Sequence, residues 1–390
     1  MKIILCDQRE VHDNLLPLTY TRPVADLRVG IDTIAEKWQM MLPGEYFWQT
    51  SDYLQSKYPA GDVRQSDDSC IFISGNFLPD SHLVEIVNNL LPGQAVYTPG
   101  HIPVAVRGGI LQPESIELDA EPVAINNLYD IFLLNDSVLR ADFDRLCAGR
   151  RSRPVSPSVT VIGPPDRLFI EENAGFVEGC VINTLSGPVY VGSGAVVSEG
   201  ACLRGPIAVC TESEVNMGTK IYGATTIGPH SKVGGELNNV VIWGYSNKAH
   251  DGFLGNAVIG QWCNIGAGAT ASNLKNDYTP IKLWNYPARR FVRTGLQFCG
   301  AIMGDHTKLG INTMLNTATV LGVGVNIHGS GFPRPFLASF SEGSPSGYSD
   351  VAMNKFFETA RTVMARRGVT LTDDDVRILE TVRKLAENYR

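Results

Sequence analysis

The 390-residue sequence has no basic excess: 33 Lys and Arg stand against 40 Asp and Glu, a formal net charge of −7. A generic nucleic-acid binder would cluster surplus cations on one face, so that class is excluded. Also missing is any apolar run near the ~20 residues that span a bilayer. The opening Met1–Cys6 turns polar at Asp7 without a signal-peptide apolar core or a cleavage site. These absences predict a soluble, cytoplasmic protein with neither nucleic acid nor membrane as partner. The eight cysteines (Cys6, Cys70, Cys147, Cys180, Cys202, Cys210, Cys263, Cys299) form no CxxC pair, and most flank apolar or small residues, which predicts reduced core residues.

Glycine, by contrast, is plentiful. The chain holds 39, a tenth of its residues, against roughly 7% in average proteins, and 26 of them lie between Gly163 and Gly329. In that same stretch every sixth residue is aliphatic: Val191, Val197, Leu203, Val209, Val215, Ile221, Ile227 and Val233. The period fails at Asn239, returns as Phe253, Ile259 and Ile265, and appears again from Met303 through Leu309, Leu315 and Leu321 to Ile327. Six fits neither a 3.6-residue helix nor a two-residue strand alternation, and it is the repeat of a parallel β-helix. Three hexapeptides make one triangular coil, each aliphatic residue points inward, and successive coils stack at the ~4.8 Å strand spacing. Resemblance to hexapeptide-repeat proteins implies left-handed winding. The two interruptions, Leu237 to Gly252 and Asn273 to Ala301, are expected to be loops leaving a corner, where chemistry usually sits.

Residues 1–150 read as an α/β layer domain, with strand-like runs at Lys2–Cys6, Cys70–Ser74 and Pro103–Arg107 and helix-like segments at Ile31–Met41 and His82–Asn89. The linker-like Arg150–Ser158 marks its end. Residues 151–335 are assigned to the β-helix and 336–390 to a helical segment. There Thr372 precedes Asp373, Asp374 and Asp375 as an N-terminal cap, and Val376, Leu379, Val382, Leu385 and Tyr389 form an apolar stripe.

Within the first interruption, the run from Gly244 to Gly268 and on through Ser272-Asn273-Leu274-Lys275-Asn276 resembles the acetyltransferase half of the bifunctional N-acetylglucosamine-1-phosphate uridyltransferase/glucosamine-1-phosphate acetyltransferase family, whose pattern is SKxGHxxYxGDxxIGxxxNIGAGxxxxN. The resemblance implies that His250 is the general base. An amino-sugar amine attacks the acetyl-CoA thioester only when neutral, and an imidazole of ordinary pKa ~6.5 can take its proton at pH 7. It further implies that Asn273 contacts the sugar amine region, that Asn264 matches the asparagine of the NIGAG run, and that corner N–H groups hold the thioester oxyanion. Two departures stand out: Phe253 replaces the family tyrosine, and one residue is missing between Lys248 and His250. Arg204, Lys220, Lys248 and Lys275 are the candidates for binding the sugar phosphate, and Asp305-His306 for facing the same cleft. Hexapeptide acyltransferases resemble one another in being trimers with acetyl-CoA between adjacent prisms, so a homotrimer is implied.

The N-terminal half carries a second resemblance. Leu15-Leu16-Pro17-Leu18-Thr19-Tyr20-Thr21-Arg22-Pro23-Val24 is similar to the LxPLTxxxPK segment of nucleotidyltransferases that make nucleotide-sugars, although their glycine loop is absent and Val24 stands where their lysine would be. Asn76, after Gly75, replaces a magnesium-binding aspartate. Arg9, Arg22 and Arg28 are candidates for the triphosphate, and Asp80 for Mg2+. Together the resemblances imply a nucleotidyltransferase-like α/β domain, a left-handed β-helix acyltransferase domain and a helical tail. The implied substrates are a sugar phosphate, acetyl-CoA and a nucleoside triphosphate, and the implied product is UDP-N-acetylglucosamine. Two alternatives stay open: another sugar-1-phosphate nucleotidyltransferase, such as a dTTP-dependent one, and a binding or regulatory module with an eroded nucleotidyl site. A zinc carbonic anhydrase on the same scaffold is disfavoured, because His230, His250, His306 and His328 lack its ligand spacing.

Overall fold

A computed structural model of the chain describes residues 1–60, 70–108 and 114–390. The chain divides into two compact units: Met1–Leu27 with Asp32–Asp130 and Asp373–Thr381, and Arg28–Ile31 with Ile131–Thr372 and Val382–Arg390.

The first unit is built on a six-stranded sheet of β1 (Lys2–Cys6), β2 (Glu45–Gln49), β3 (Cys70–Ser74), β4 (Gln94–Tyr97), β5 (Pro103–Arg107) and β6 (Glu114–Glu117), ordered β2-β1-β3-β5-β4-β6. β1 runs parallel to β2 and β3 at the centre, which is why Ile3, Ile4 and Leu5 form a continuous buried run rather than an alternation. β5 is antiparallel to both β3 and β4. The helix expected from Ile31 starts at Ile34, because the Thr33 side chain accepts from the Glu36 N–H and Glu36 reciprocates in a capping box.

The short turn Val24–Asp26 of this unit ends in a half-buried acid. Desolvation pushes the Asp26 carboxyl up to about 6, with the Arg22 guanidinium and the Trp48 indole N–H, 3.0 Å away, pulling the other way. Its folded pKa exceeds the ordinary 3.8, so the group favours folding in acid and loses that contribution as pH rises from about 4 through about 6. Asp26→Asn is therefore expected to raise stability above pH 6 by at most about 3 kcal/mol, with no gain below pH 4. Urea unfolding of the two proteins across this range checks it.

The second unit is the six-period solenoid. All eight residues from Val191 to Val233 are no more than 2% exposed, and strands stack in parallel with the eighteen-residue offset of one coil, as in Val197↔Val215↔Val233. The first interruption is no loop. Glu236–Gly244 is a continuous strand, and the coil there is simply short: Val233 pairs with Lys248, fifteen residues on. Sixfold counting loses its register at this coil. The inward position on the next face is the buried Leu254, not the half-buried Phe253, and the step from there to Ile259 is five residues, so sixfold counting resumes at Ile259. The second interruption is an insertion, a hairpin of Lys282–Asn285 against Arg290–Arg293, whose Trp284 stacks on Phe336 at 4.0 Å.

Helix Asn135–Cys147, upstream of the linker, also belongs to this unit: the Asn135 side chain accepts from the Gly30 N–H and donates to Ala224 O. The antiparallel pair Ser341–Ser344 and Gly347–Asp350 ends the stack. The helical segment expected from residue 336 begins only at Met353: helices Met353–Ala365 and Asp373–Ala386 follow the strands Phe336–Leu337, Ser341–Ser344 and Gly347–Asp350. All eight cysteines are free; five are buried, whereas Cys202 is exposed.

Candidate active site

One prism face carries an outward row of polar side chains: Glu214, Lys232, Asn247, Asn264, Lys308 and Asn326 lie on successive coils in register. The corner leading into this face takes a left-handed conformation on each coil, at His230, Tyr245, Trp262 and His306 (φ 58°, 53°, 62° and 61°). That shared geometry stacks their rings, with Tyr245 4.6 Å from His230 and 4.2 Å from Trp262. Two coils along, the corner residue is Gly324 (φ +65°), where a Cβ would lie 2.9 Å from the Phe356 ring. Glycine there leaves room for Phe356 of helix Met353–Ala365 to pack edge-on against His306 and Phe340. At the other end of this helix, Arg367 donates to Asn247 Oδ1 at 2.9 Å.

Between the helix end and the face lies a cleft of about 670 Å³. His250 opens into it from the exposed turn after Asn247–Lys248, with Asn264 and the Tyr245 and Trp262 rings beside it. Four cations line the same cleft: Lys232, Lys308, Arg366 and Arg367. Lys232 is ion-paired with Glu214, and burial pulls the Lys308 pKa down. An imidazole at the mouth of a cationic, partly aromatic cleft suits a base acting beside a phosphorylated ligand.

The other expected residues scatter. Asn273 stands at a different corner, donating to Asn256 Oδ1 at 2.7 Å, and it flanks Gly255 together with Phe253. Arg204 and Lys220 are exposed on another face. Lys275 lies in the insertion, 3.4 Å from Thr279 Oγ1 and Pro280 O. Lys248 is a correction: it points into the prism, 2% exposed, and cannot meet a surface phosphate. Asp305 is also spent locally, accepting from the Gln261 N–H, while His306 belongs to the ring stack.

The nucleotide candidates do not converge either. Arg9 is exposed beside Asp13, and Arg22 is buried, its charge acting on Asp26. Arg28 belongs to the second unit, with its guanidinium on Ile31 O. Asn76 is buried and donates to Asn126. Asp80 stays exposed and caps helix Ser81–Asn88, its Oδ1 accepting from the Leu83 N–H. Among the described residues no three His, Cys, Asp or Glu side chains converge on a metal position. No step is assigned to a magnesium ion.

Residues 3–151 match the family model described as sugar nucleotidyl transferase. That match, with the hexapeptide solenoid that follows, places a domain similar to sugar nucleotidyl transferases ahead of a β-helix. The chain is similar to bifunctional GlmU proteins. The bifunctional protein GlmU of Bartonella quintana is 26% identical over 248 residues, covering 62% of this chain and 49% of that protein. A bifunctional sugar-1-phosphate nucleotidylyltransferase/acetyltransferase of Sulfurisphaera tokodaii is 28% identical over 165 residues, covering 42% and 40%. The chain thus spans about half the length of these relatives, or less. Among solved structures, a hexapeptide transferase family protein from Anaplasma phagocytophilum covers 59% of this chain and 88% of its own at 19% identity, with a TM-score of 0.21, too low to carry an argument. No helix among the described residues is long and apolar enough to cross a membrane.

Proposed function

We propose that the second unit transfers an acetyl group from acetyl-CoA to the amine of glucosamine-1-phosphate, and that the first couples a sugar-1-phosphate to a nucleoside triphosphate, UTP in the leading reading. The observation that carries the acetyl half is His250 opening into a cleft lined by four cations. In this reading His250 takes the ammonium proton, the freed amine attacks the thioester carbon, and the CoA thiolate leaves and takes up the proton that the acylated nitrogen sheds. Arg366 and Arg367 hold CoA phosphates, since guanidinium forks match phosphate oxygens. Replacing both with alanine is expected to raise the acetyl-CoA KM about tenfold, ~1.4 kcal/mol of binding, with kcat nearly unchanged. An acetyl-CoA titration of initial rates reads it.

Because His250 and the Phe253–Asn273 pair occupy different corners, one protomer's Asn273 serves its neighbour's His250 in a homotrimer. Light scattering giving a monomer would contradict that arrangement. A second reading is favoured for the first unit alone. Asn76, buried and hydrogen-bonded to Asn126, stands where the resemblance would put a magnesium-binding aspartate, as expected of a unit that binds a nucleotide-sugar without making one. A pyrophosphate-release screen with UTP and dTTP against several sugar-1-phosphates separates the two. Release with any pair supports catalysis, and none in a protein that binds the nucleotide-sugar supports the binding module.

A further inference from the structure

The inward column on the face behind His250 reads Val197, Val215, Val233, Lys248, Ile265, Leu309 and Ile327. Six positions are aliphatic; one is a lysine, 2% exposed. The void beside its side chain, about 10 Å³, is lined mainly by apolar residues such as Leu254, Ile265, Met303 and Leu309. Such a position costs stability, and a hydrophobe would serve the prism better.

What the lysine holds is specific. The turn Ala249–Gly252 has four carbonyls, each accepting a hydrogen bond. Ala249 O takes the Asn216 side-chain amide at 2.8 Å, Asp251 O the Gly268 N–H at 2.9 Å, and Gly252 O the Glu236 N–H at 3.1 Å. His250 O alone is held by a titratable group: Lys248 Nζ donates to it at 2.5 Å and to Gly234 O, one coil back, at 2.9 Å.

We propose that Lys248 is a positioning residue, which from inside the prism clamps the His250 carbonyl to the preceding coil and so fixes the direction in which the imidazole enters the cleft. This rests on His250 being the base of the reading above. Desolvation lowers the Lys248 pKa to about 8, and Asp251 is the one charged side chain acting on it among the described residues. The neutral amine keeps two N–H donors for the two carbonyls but loses the charge that strengthens both bonds. The clamp therefore loosens as pH rises through about 8.

The test compares Lys248→Met, which fills the column and removes the donors, with Lys248→Gln, which keeps amide donors. Acetyl-transfer kcat is expected to fall about 10- to 100-fold in the Met variant, the scale of a misdirected catalytic group. The KM values should stay within about twofold, the melting temperature should be unchanged or higher, and the Gln variant should be intermediate. The wild-type decline in rate above pH 8 should vanish in the Met variant. Independently of activity, the His250 signal in histidine-labelled NMR should feel a second titration step near pH 8 in the wild type and not in the Met variant. A Met variant with wild-type kcat and pH profile, or one whose losses track a lowered melting temperature, overturns the proposal. If the wild type transfers no acetyl group, the catalytic reading fails, and the NMR step alone decides whether the clamp exists.

Discussion

Replacing His250 with alanine lowers the acetyl-transfer kcat by about 10²- to 10⁴-fold, the usual contribution of a positioned general base, while pyrophosphate release by the first unit is untouched. The side chain is exposed at the mouth of the cleft and packs into no core, so its removal leaves no cavity and the melting temperature should not move. The loss should be smaller at high pH, where the amine substrate is already neutral and needs no base. A uniform loss of both activities would mean that the substitution had damaged the fold instead.

The second large effect is expected at Phe356. Its ring, 8% exposed, is the plug that joins helix Met353–Ala365 to the ring stack over Gly324. Phe356→Ala removes a buried aromatic worth about 3–5 kcal/mol. A 13-residue helix is marginal without tertiary contacts, so it should undock and carry Arg366 and Arg367 away from the cleft. We expect faster proteolysis between residues 353 and 372, an acetyl-CoA KM raised about tenfold or more, and unchanged β-sheet circular dichroism, since the prism core does not depend on this ring. A variant with wild-type KM and wild-type protection would show that the helix is not what completes the cleft.

How far the sequence discloses this architecture depends on which side of the coil a residue faces. Inward positions repeat every six and carry aliphatics, so the prism is readable from Val191 to Val233 and again from Met303 to Ile327. The short coil is not readable in that way. Six steps on from Val233 fall on Asn239 and Tyr245, both corner residues with positive φ, whereas strand pairing puts Lys248 in the inward position. A lysine two residues before His250 therefore reads as a surface phosphate ligand, whereas the structure buries it in the inward column.

The cleft was half legible. His250 and Asn264 carry a recognisable local pattern, but Arg366 and Arg367 are more than a hundred residues away and reach the cleft at the end of a helix that packs through Phe356, Ala360 and Met364. No spacing rule encodes that docking; the nearest signal was the tail's helical amphipathicity. In the first unit, β1, β3 and β5 were legible from their apolar runs. The fates of Arg22, Asn76 and Asp80 were not, because a cap or a buried hydrogen bond uses the same side chains that a nucleotide site would.

The most direct test of the account is mass spectrometry of the sugar phosphate after incubation with acetyl-CoA, for the wild type and His250→Ala side by side. The account predicts that wild-type protein adds one acetyl group to the amine of glucosamine-1-phosphate with stoichiometric thiol release, and that the folded variant adds almost none. Product formed equally by both proteins, or by neither, would contradict it.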